Sequence, residues 1–205
     1  MKTPITLYFD LVSPYAWLAL HAVETIRAES GREVIVSPVA FGAILKRNQQ
    51  PAPVALPAKR AHILDDIRWR AAERGLPFTG PPVHPFNPLA GLRLCLALDD
   101  PDARAALARE LADAAWAHGR DLADSAVVLD VATACGLDPT WAAARLDDPA
   151  IKEALIKRTD DAADAGVFGV PTFALDGHLF WGNDRIAHLL ASARGERPDI
   201  PGSAR

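Results

Sequence analysis

Two short hydrophobic alternations fall within the first 41 residues, with only a helix-length segment between them. In ITLYF (5–9), Ile5, Leu7 and Phe9 alternate with Thr6 and Tyr8, the two-residue period of a strand with one buried face. EVIVSPVAF (33–41) reads as a second strand, ended or bent at Pro38, which has no N–H to give a ladder. Between them Ser13-Pro14 is a helix start, an N-cap hydroxyl followed by proline at the first helical position. The helix is expected to run to about Ser30, with Gly31 as its stop. A strand–helix–strand this short favours a parallel βαβ unit.

After Gly42 the character changes. QQPAPVALP (49–57) reads as a loop, and KRAHILDDIRWRAAERG (59–75) as an amphipathic helix with Ile63, Leu64, Ile67 and Ala71 on one face. GPPVHPFNP (80–88), with four prolines, is an extended loop. Alanine-rich helical patterns then run to about residue 165, broken at Gly119, Gly136 and Asp138-Pro139, and no comparable strand signal lies between 43 and 166. VPTFALDGHLFW (170–181) is two short strands around Asp176-Gly177, a two-residue hairpin signal. GND (182–184) supplies capping residues for a last helix in which Ile186, Leu189 and Leu190 face inward.

The 205 residues suffice for one domain, or for one carrying an insertion. A net charge of −4 without a basic stripe argues against nucleic-acid binding. No apolar run approaches the roughly 18 residues of a membrane span. MKTPITLYFD enters a strand pattern at once, without a signal-peptide apolar region, so the cytoplasm is expected. Cys95 and Cys135 form neither a C-x-x-C pair nor a zinc spacing, and each lies in an apolar helix-like run, the setting of a reduced, buried thiol. The histidines show no H-x-x-x-H pattern, so no metal site is expected. Ser13 lacks the G-x-S-x-G elbow of a serine hydrolase. Trp17, Trp69, Trp116 and Trp141 read as packing residues, and Trp181 as packing or a pocket wall.

The order βαβ, helices, ββα is that of an α/β, thioredoxin-like fold with a large all-helical insertion. Residues 1–42 and 166–205 would form the thioredoxin-like domain and 43–165 the inserted helical domain. In such a fold the corner after the first strand exposes the positive N-terminus of the first helix, which favours a thiolate. With Ser13 there, the chain brings no thiolate of its own but can stabilise one that arrives with a ligand, and glutathione is the commonest such thiol. Fold order places a cis bond at Val170-Pro171, leaving the Val170 main chain to pair with an extended peptide. On the local sequence alone Ser13 reads as a plain N-cap, a role compatible with facing a ligand, and the downstream Val170-Pro171 and GND motifs shift the reading toward the ligand.

DLVSPYAWLA, RNQQPAPVALPAKR, HPFNPL and GVFGVPTFALDGHLFWGNDRI together resemble the 2-hydroxychromene-2-carboxylate isomerase family, which is related to kappa-class glutathione transferases and lies in the DsbA-like group. The resemblance implies glutathione-dependent cis–trans isomerisation of an aromatic 2-oxo acid, in a homodimer. It implies that Ser13 is catalytic and holds the cofactor sulfur as an anion, and that Val170, before Pro171, clamps the cysteinyl unit. Trp181, Gly182, Asn183 and Asp184 match the family's cofactor loop, with Asp184 as partner for the γ-glutamyl amino group. Asn48 and Lys46 match polar positions where glutathione and the substrate acid meet, and Asn87 lines the substrate pocket. Arg47 stands where the family often has glycine, which bears on local pocket shape. Conjugation, as in a kappa-class transferase, and a non-redox peptide-binding module are the competing readings. His84 lies near the implied pocket, without an assigned role.

Overall fold

The computed structural model describes residues 2–196; residues 197–205, part of the segment 166–205 assigned above to the thioredoxin-like domain, lie outside the described residues. Strands β1 (Ile5–Phe9), β2 (Val34–Pro38), β3 (Thr172–Leu175) and β4 (His178–Trp181) form one sheet in the order β2-β1-β3-β4. β1 runs parallel to β2, with Leu7 beside Val36, and antiparallel to β3, with Leu7 beside Phe173. The β3–β4 hairpin closes through Asp176 (φ 48°) and Gly177 (φ 77°), both in the left-handed region that a two-residue turn between right-twisted strands requires.

Helices α1 (Pro14–His21) and α2 (Val23–Ser30) replace the single helix expected from Ser13 to Ser30. The Ala22 N–H closes onto the Ala19 carbonyl at 3.1 Å, a tight three-residue turn that ends the first helix before the second begins. β2 ends at Pro38, one of the two outcomes expected there, and after Val39 and Ala40 the chain enters a short helix, α3 (Phe41–Arg47). Next come α4 (Pro57–Glu73), α5 (Leu89–Ala97), α6 (Pro101–Trp116), α7 (Ser125–Ala134), α8 (Pro139–Asp147) and α9 (Pro149–Asp164), and the hairpin is followed by α10 (Ile186–Ala193). Asp100, Asp138 and Asp148 each cap a helix whose first residue is proline, so the capping carboxylate takes an orphan N–H while proline lacks one. This is the thioredoxin-like α/β arrangement, with helices α3 to α9 inserted between β2 and β3. No described helix is long and apolar enough to cross a membrane.

One apolar cluster joins Ile5, Leu7 and Phe173 of the sheet to Trp17 of α1, Cys95 of α5 and Trp116 of α6. Trp17 and Trp116 are buried, but Trp69 is 73% exposed. α4 buries only Ile67 and Ala71, and Trp69, two residues beyond Ile67, falls on the outer side of the helix. Cys95 is buried as expected, and burial pushes its thiol pKa up. Cys135 is exposed instead, because it stands at the C-terminal cap of α7, past the buried Val128, Val131 and Ala132.

The inserted helices also hold the β1–α1 corner. The Trp116 Nε1–H donates to the Leu11 carbonyl at 2.9 Å, and His84 Nε2 donates to the Val12 carbonyl at 3.0 Å. The two rings pack edge to face with centroids 5.1 Å apart. Trp116→Phe keeps most of the aromatic volume but strands a buried carbonyl, so a loss of about 1–3 kcal/mol is expected in urea unfolding. A midpoint equal to wild type would show that the contact does not brace the corner.

Candidate functional site

Three distant segments meet at the N-terminus of α1. Ser13 is the N-cap: its Oγ accepts from the Ala16 N–H at 3.2 Å, and its extended backbone (φ −97°, ψ 118°) turns the chain from strand to helix. The same hydroxyl, 7% exposed, donates to the Val170 carbonyl at a long 3.4 Å. The Val170-Pro171 bond is cis, and among the described residues the Val170 N–H has no hydrogen-bond partner. Thr172 Oγ1 donates to the Gly169 carbonyl at 2.7 Å, and the Gly182 N–H to the Pro171 carbonyl at 2.9 Å, which fixes the proline turn against the loop after β4.

That loop is shaped by Gly182. Its φ of 106° disfavours any side chain, and a Cβ there would lie 2.4 Å from Asp184 Oδ1. Asn183–Arg185 form a 3₁₀ turn that leads into α10, so the expected capping of the last helix by GND does not occur. The Asn183 side chain is taken up elsewhere: buried at 4% exposure, its Oδ1 accepts from Arg74 Nη2 at 2.7 Å, while Arg74 Nη1 donates to the Leu18 carbonyl at 3.0 Å. One guanidinium therefore joins α1, α4 and the loop. Asp184 is half exposed and pairs with Arg185 at 3.0 Å.

Val170, Pro171, Trp181, Gly182, Asn183 and Asp184 share one cleft of about 360 Å³. Ser13 adjoins it through Val170. The opposite wall comes from Tyr15 of α1 and from His62, Asp66 and Arg70 of α4. Tyr15 Oη donates to Asp66 Oδ2 at 2.8 Å, and Arg70 Nε donates to the same oxygen at 2.7 Å. Partial burial works against the Asp66 charge, but these two donors outweigh it and hold the carboxyl below its ordinary range. Burial and the Asp66 contact together push the Tyr15 phenol up, so it stays protonated and donating. Trp181, 55% exposed, meets Phe168 edge to face, and Gly169 lets its ring close in, since a Cβ there would lie 2.5 Å from Nε1.

The remaining expected residues lie outside the lining of this cleft. Lys46 is in the last turn of α3 and Asn48 is its C-cap, both exposed. Arg47 is turned onto α9, where it pairs with Asp164 and donates to the Asp160 carbonyl. Asn87 is exposed, and its Oδ1 accepts from the Leu89 N–H at 3.1 Å at the start of α5. Sequence reasoning assigned no site role to Tyr15, His62, Asp66 or Arg70. The last three recur every four residues along α4, a polar stripe visible in the sequence, but its facing the proline turn depends on how α4 packs on α1.

A thioredoxin sheet with helices between β2 and β3, a cis proline and a serine-capped first helix define a thioredoxin-type protein without a cysteine at its corner. A sequence profile of the DSBA-like thioredoxin domain matches residues 4–193, and the chain belongs to that family. It is 25% identical to glutathione S-transferase kappa 1 of Caenorhabditis elegans, over 96% of this chain and 93% of that one. It is 26% identical to 2-hydroxychromene-2-carboxylate isomerase of Sphingobium xenophagum, over 92% of this chain and 97% of the relative. A solved structure of a 2-hydroxychromene-2-carboxylate isomerase superposes with a TM-score of 0.86 at 24% identity, covering 94% of this chain and 95% of that one. The kinship read from the motifs therefore holds.

Beneath the corner, Asp10 is fully buried, and burial pushes its carboxyl from 3.8 up to about 7 against the pull of the Val12 and Phe41 N–H groups. Between about pH 4 and pH 7 the folded state therefore holds a proton that the unfolded chain has released, and this group's contribution to stability falls as pH rises. Asp10→Asn cannot ionise. Its melting temperature relative to wild type is expected to rise across that window in thermal unfolding followed by circular dichroism, whereas a constant offset would mean that Asp10 stays ionised throughout.

Proposed function

We propose that the protein binds glutathione at the Ser13 corner and catalyses the glutathione-dependent cis–trans isomerisation of an aromatic 2-oxo acid. The observation that carries this reading is a hydroxyl, where a thiol would serve disulfide exchange, at the N-terminus of α1 and 3.4 Å from the carbonyl before cis Pro171. The residues fit a thiol tripeptide: a main-chain N–H without a partner at Val170, a hydroxyl donor beside it, and a charged cleft leading away from both. Glutathione, held by Ser13 and Val170, would supply a sulfur nucleophile for reversible addition to the conjugated carbon and would not be consumed.

The protein's part is electrostatic and positional. The Ser13 hydroxyl, only loosely engaged with Val170, turns to donate to the sulfur anion, while the Ala16 N–H keeps Oγ at the helix end. The α1 dipole adds a positive field at the same place. Val170 takes the cysteinyl main chain as an added strand would, with Pro171 fixing its direction. Asp184 receives the γ-glutamyl amino group, and Gly182, Asn183 and Trp181 shape the loop around it. The start of the last helix and Arg70 across the cleft favour the γ-glutamyl carboxylate. Lys46 and Asn48 at the end of α3, with Asn87 before α5, form the substrate side. A homodimer and a cytoplasmic setting complete the reading.

Conjugation is the second reading, favoured by kinship with a kappa-class transferase over nearly the whole chain. Both begin with the same thiolate, and only conjugation consumes glutathione one for one with substrate. Ser13→Ala is expected to bind glutathione in calorimetry but to let its thiol pKa rise by about one unit or more toward the ordinary value near 8.5, read by ultraviolet absorbance. Turnover of an arylidene 2-oxo acid should fall about 10²-fold to 10³-fold. Asp184→Asn is expected to weaken glutathione binding by roughly tenfold or more, the loss of one charge-assisted contact. Stoichiometric glutathione loss would move the assignment to conjugation. No binding at about millimolar glutathione, with affinity for extended peptides, would make the protein a peptide-binding module.

A further inference from the structure

The proposed reaction makes no use of the most deeply buried acid among the described residues. Asp10 follows the last residue of β1 and is 1% exposed. Its two carboxylate oxygens serve different segments: Oδ1 accepts from the Val12 N–H at 3.0 Å, and Oδ2 accepts from the Phe41 N–H at 2.8 Å. Its main-chain carbonyl accepts from the Ser13 N–H at 3.1 Å. Phe41 is the first residue of α3, whose last turn carries Lys46 and whose C-cap is Asn48. One side chain therefore spans the thiol corner and the helix that bears the proposed polar contacts. Burying a carboxylate is costly, and a neutral amide of the same shape would not do the same work. Asparagine has one acceptor oxygen, and its NH₂ would face the second N–H donor to donor.

We propose that Asp10 is a positioning residue of the glutathione site: by taking the Val12 and Phe41 N–H groups on its two oxygens, it sets the Ser13 hydroxyl relative to the Lys46–Asn48 end of α3. This rests on the glutathione reading above. It is distinguishable from a purely electrostatic influence: above about pH 7, where Asp10 is ionised, its buried negative charge near a thiolate would by itself raise the thiol pKa, so its removal would lower that pKa. Loss of positioning moves it the other way. Among the described residues, the groups proposed to anchor the rest of the tripeptide, Val170 and Asp184, make no hydrogen bond to Asp10.

The test is Asp10→Asn beside Phe41→Pro, with folding checked by near-ultraviolet circular dichroism. Proline at position 41 deletes the N–H that Oδ2 accepts and leaves the carboxylate in place. The first helical position admits it, and the extended backbone of Ala40 (φ −84°, ψ 96°) suits a residue before proline. In each folded variant the thiol pKa of bound glutathione is expected to rise by about one unit relative to wild type. Glutathione affinity well below that pKa should stay within about threefold. An unchanged thiol pKa in a folded variant overturns the proposal, as does a fall in Asp10→Asn, and failure of both variants to fold makes Asp10 a structural residue only. If wild type itself shows no bound, pKa-shifted thiol, the glutathione reading fails first and this inference with it.

Discussion

A strand that runs straight into a helix buries main-chain polar groups at the junction, and each one left without a partner costs about 1–3 kcal/mol. At residues 11–13 four such groups are answered from outside the local chain or by Asp10. The carbonyls of Leu11 and Val12 take donors from Trp116 and His84. The N–H groups of Val12 and Ser13 go to the carboxylate and the carbonyl of Asp10. Two of these partners come from the helices and loops between β2 and β3. The inserted segment is thus part of what gives the thioredoxin-like corner its shape.

The same segment furnishes, with Tyr15, one wall of the cleft. α4 contributes little to the core, burying only Ile67 and Ala71, yet its stripe of His62, Asp66 and Arg70 faces the cis proline. Asp66 stays ionised because Tyr15 and Arg70 both donate to it, and Arg74 one turn further on ties Asn183 to the end of α1. α4 is therefore held in place by polar contacts as well as by Ile67 and Ala71, which join the main apolar cluster. A helix buried all round would leave no room for such a cleft, and one without these contacts would have no fixed orientation.

Much of the fold and part of the site were legible in the chain. The alternation of Ile5, Leu7 and Phe9, the Asp176-Gly177 turn and the break at Asp138-Pro139 each act over a few residues, so their signals survive in sequence order. Ser13 and the Val170-Pro171 bond were legible for the same reason, once element order placed them at one corner. The break at Ala22, the exposure of Trp69 and Cys135, and the diversion of Asn183 from capping to Arg74 were not. Each depends on which face of an element meets a neighbour, and periodicity does not name the neighbour. Asn87 shows the converse: its side chain satisfies a local N–H, an outcome that a proline-bounded loop makes common.

The sequence by itself determined the order of the elements, the parallel βαβ entry, the hairpin and a serine at a helix N-terminus, because strand period, capping and turn chemistry are local. Only the tertiary structure decided that Ser13 lies against Val170, that Asp10 spans two segments, and that an α4 stripe with Tyr15 closes the cleft. The long-range contacts among them, Asp10–Phe41, Tyr15–Asp66 and Ser13–Val170, join residues from 31 to 157 positions apart in the chain. They exist because burying the shared apolar core brings the strands and helices together, and the polar groups left at the seams must then find partners in one another.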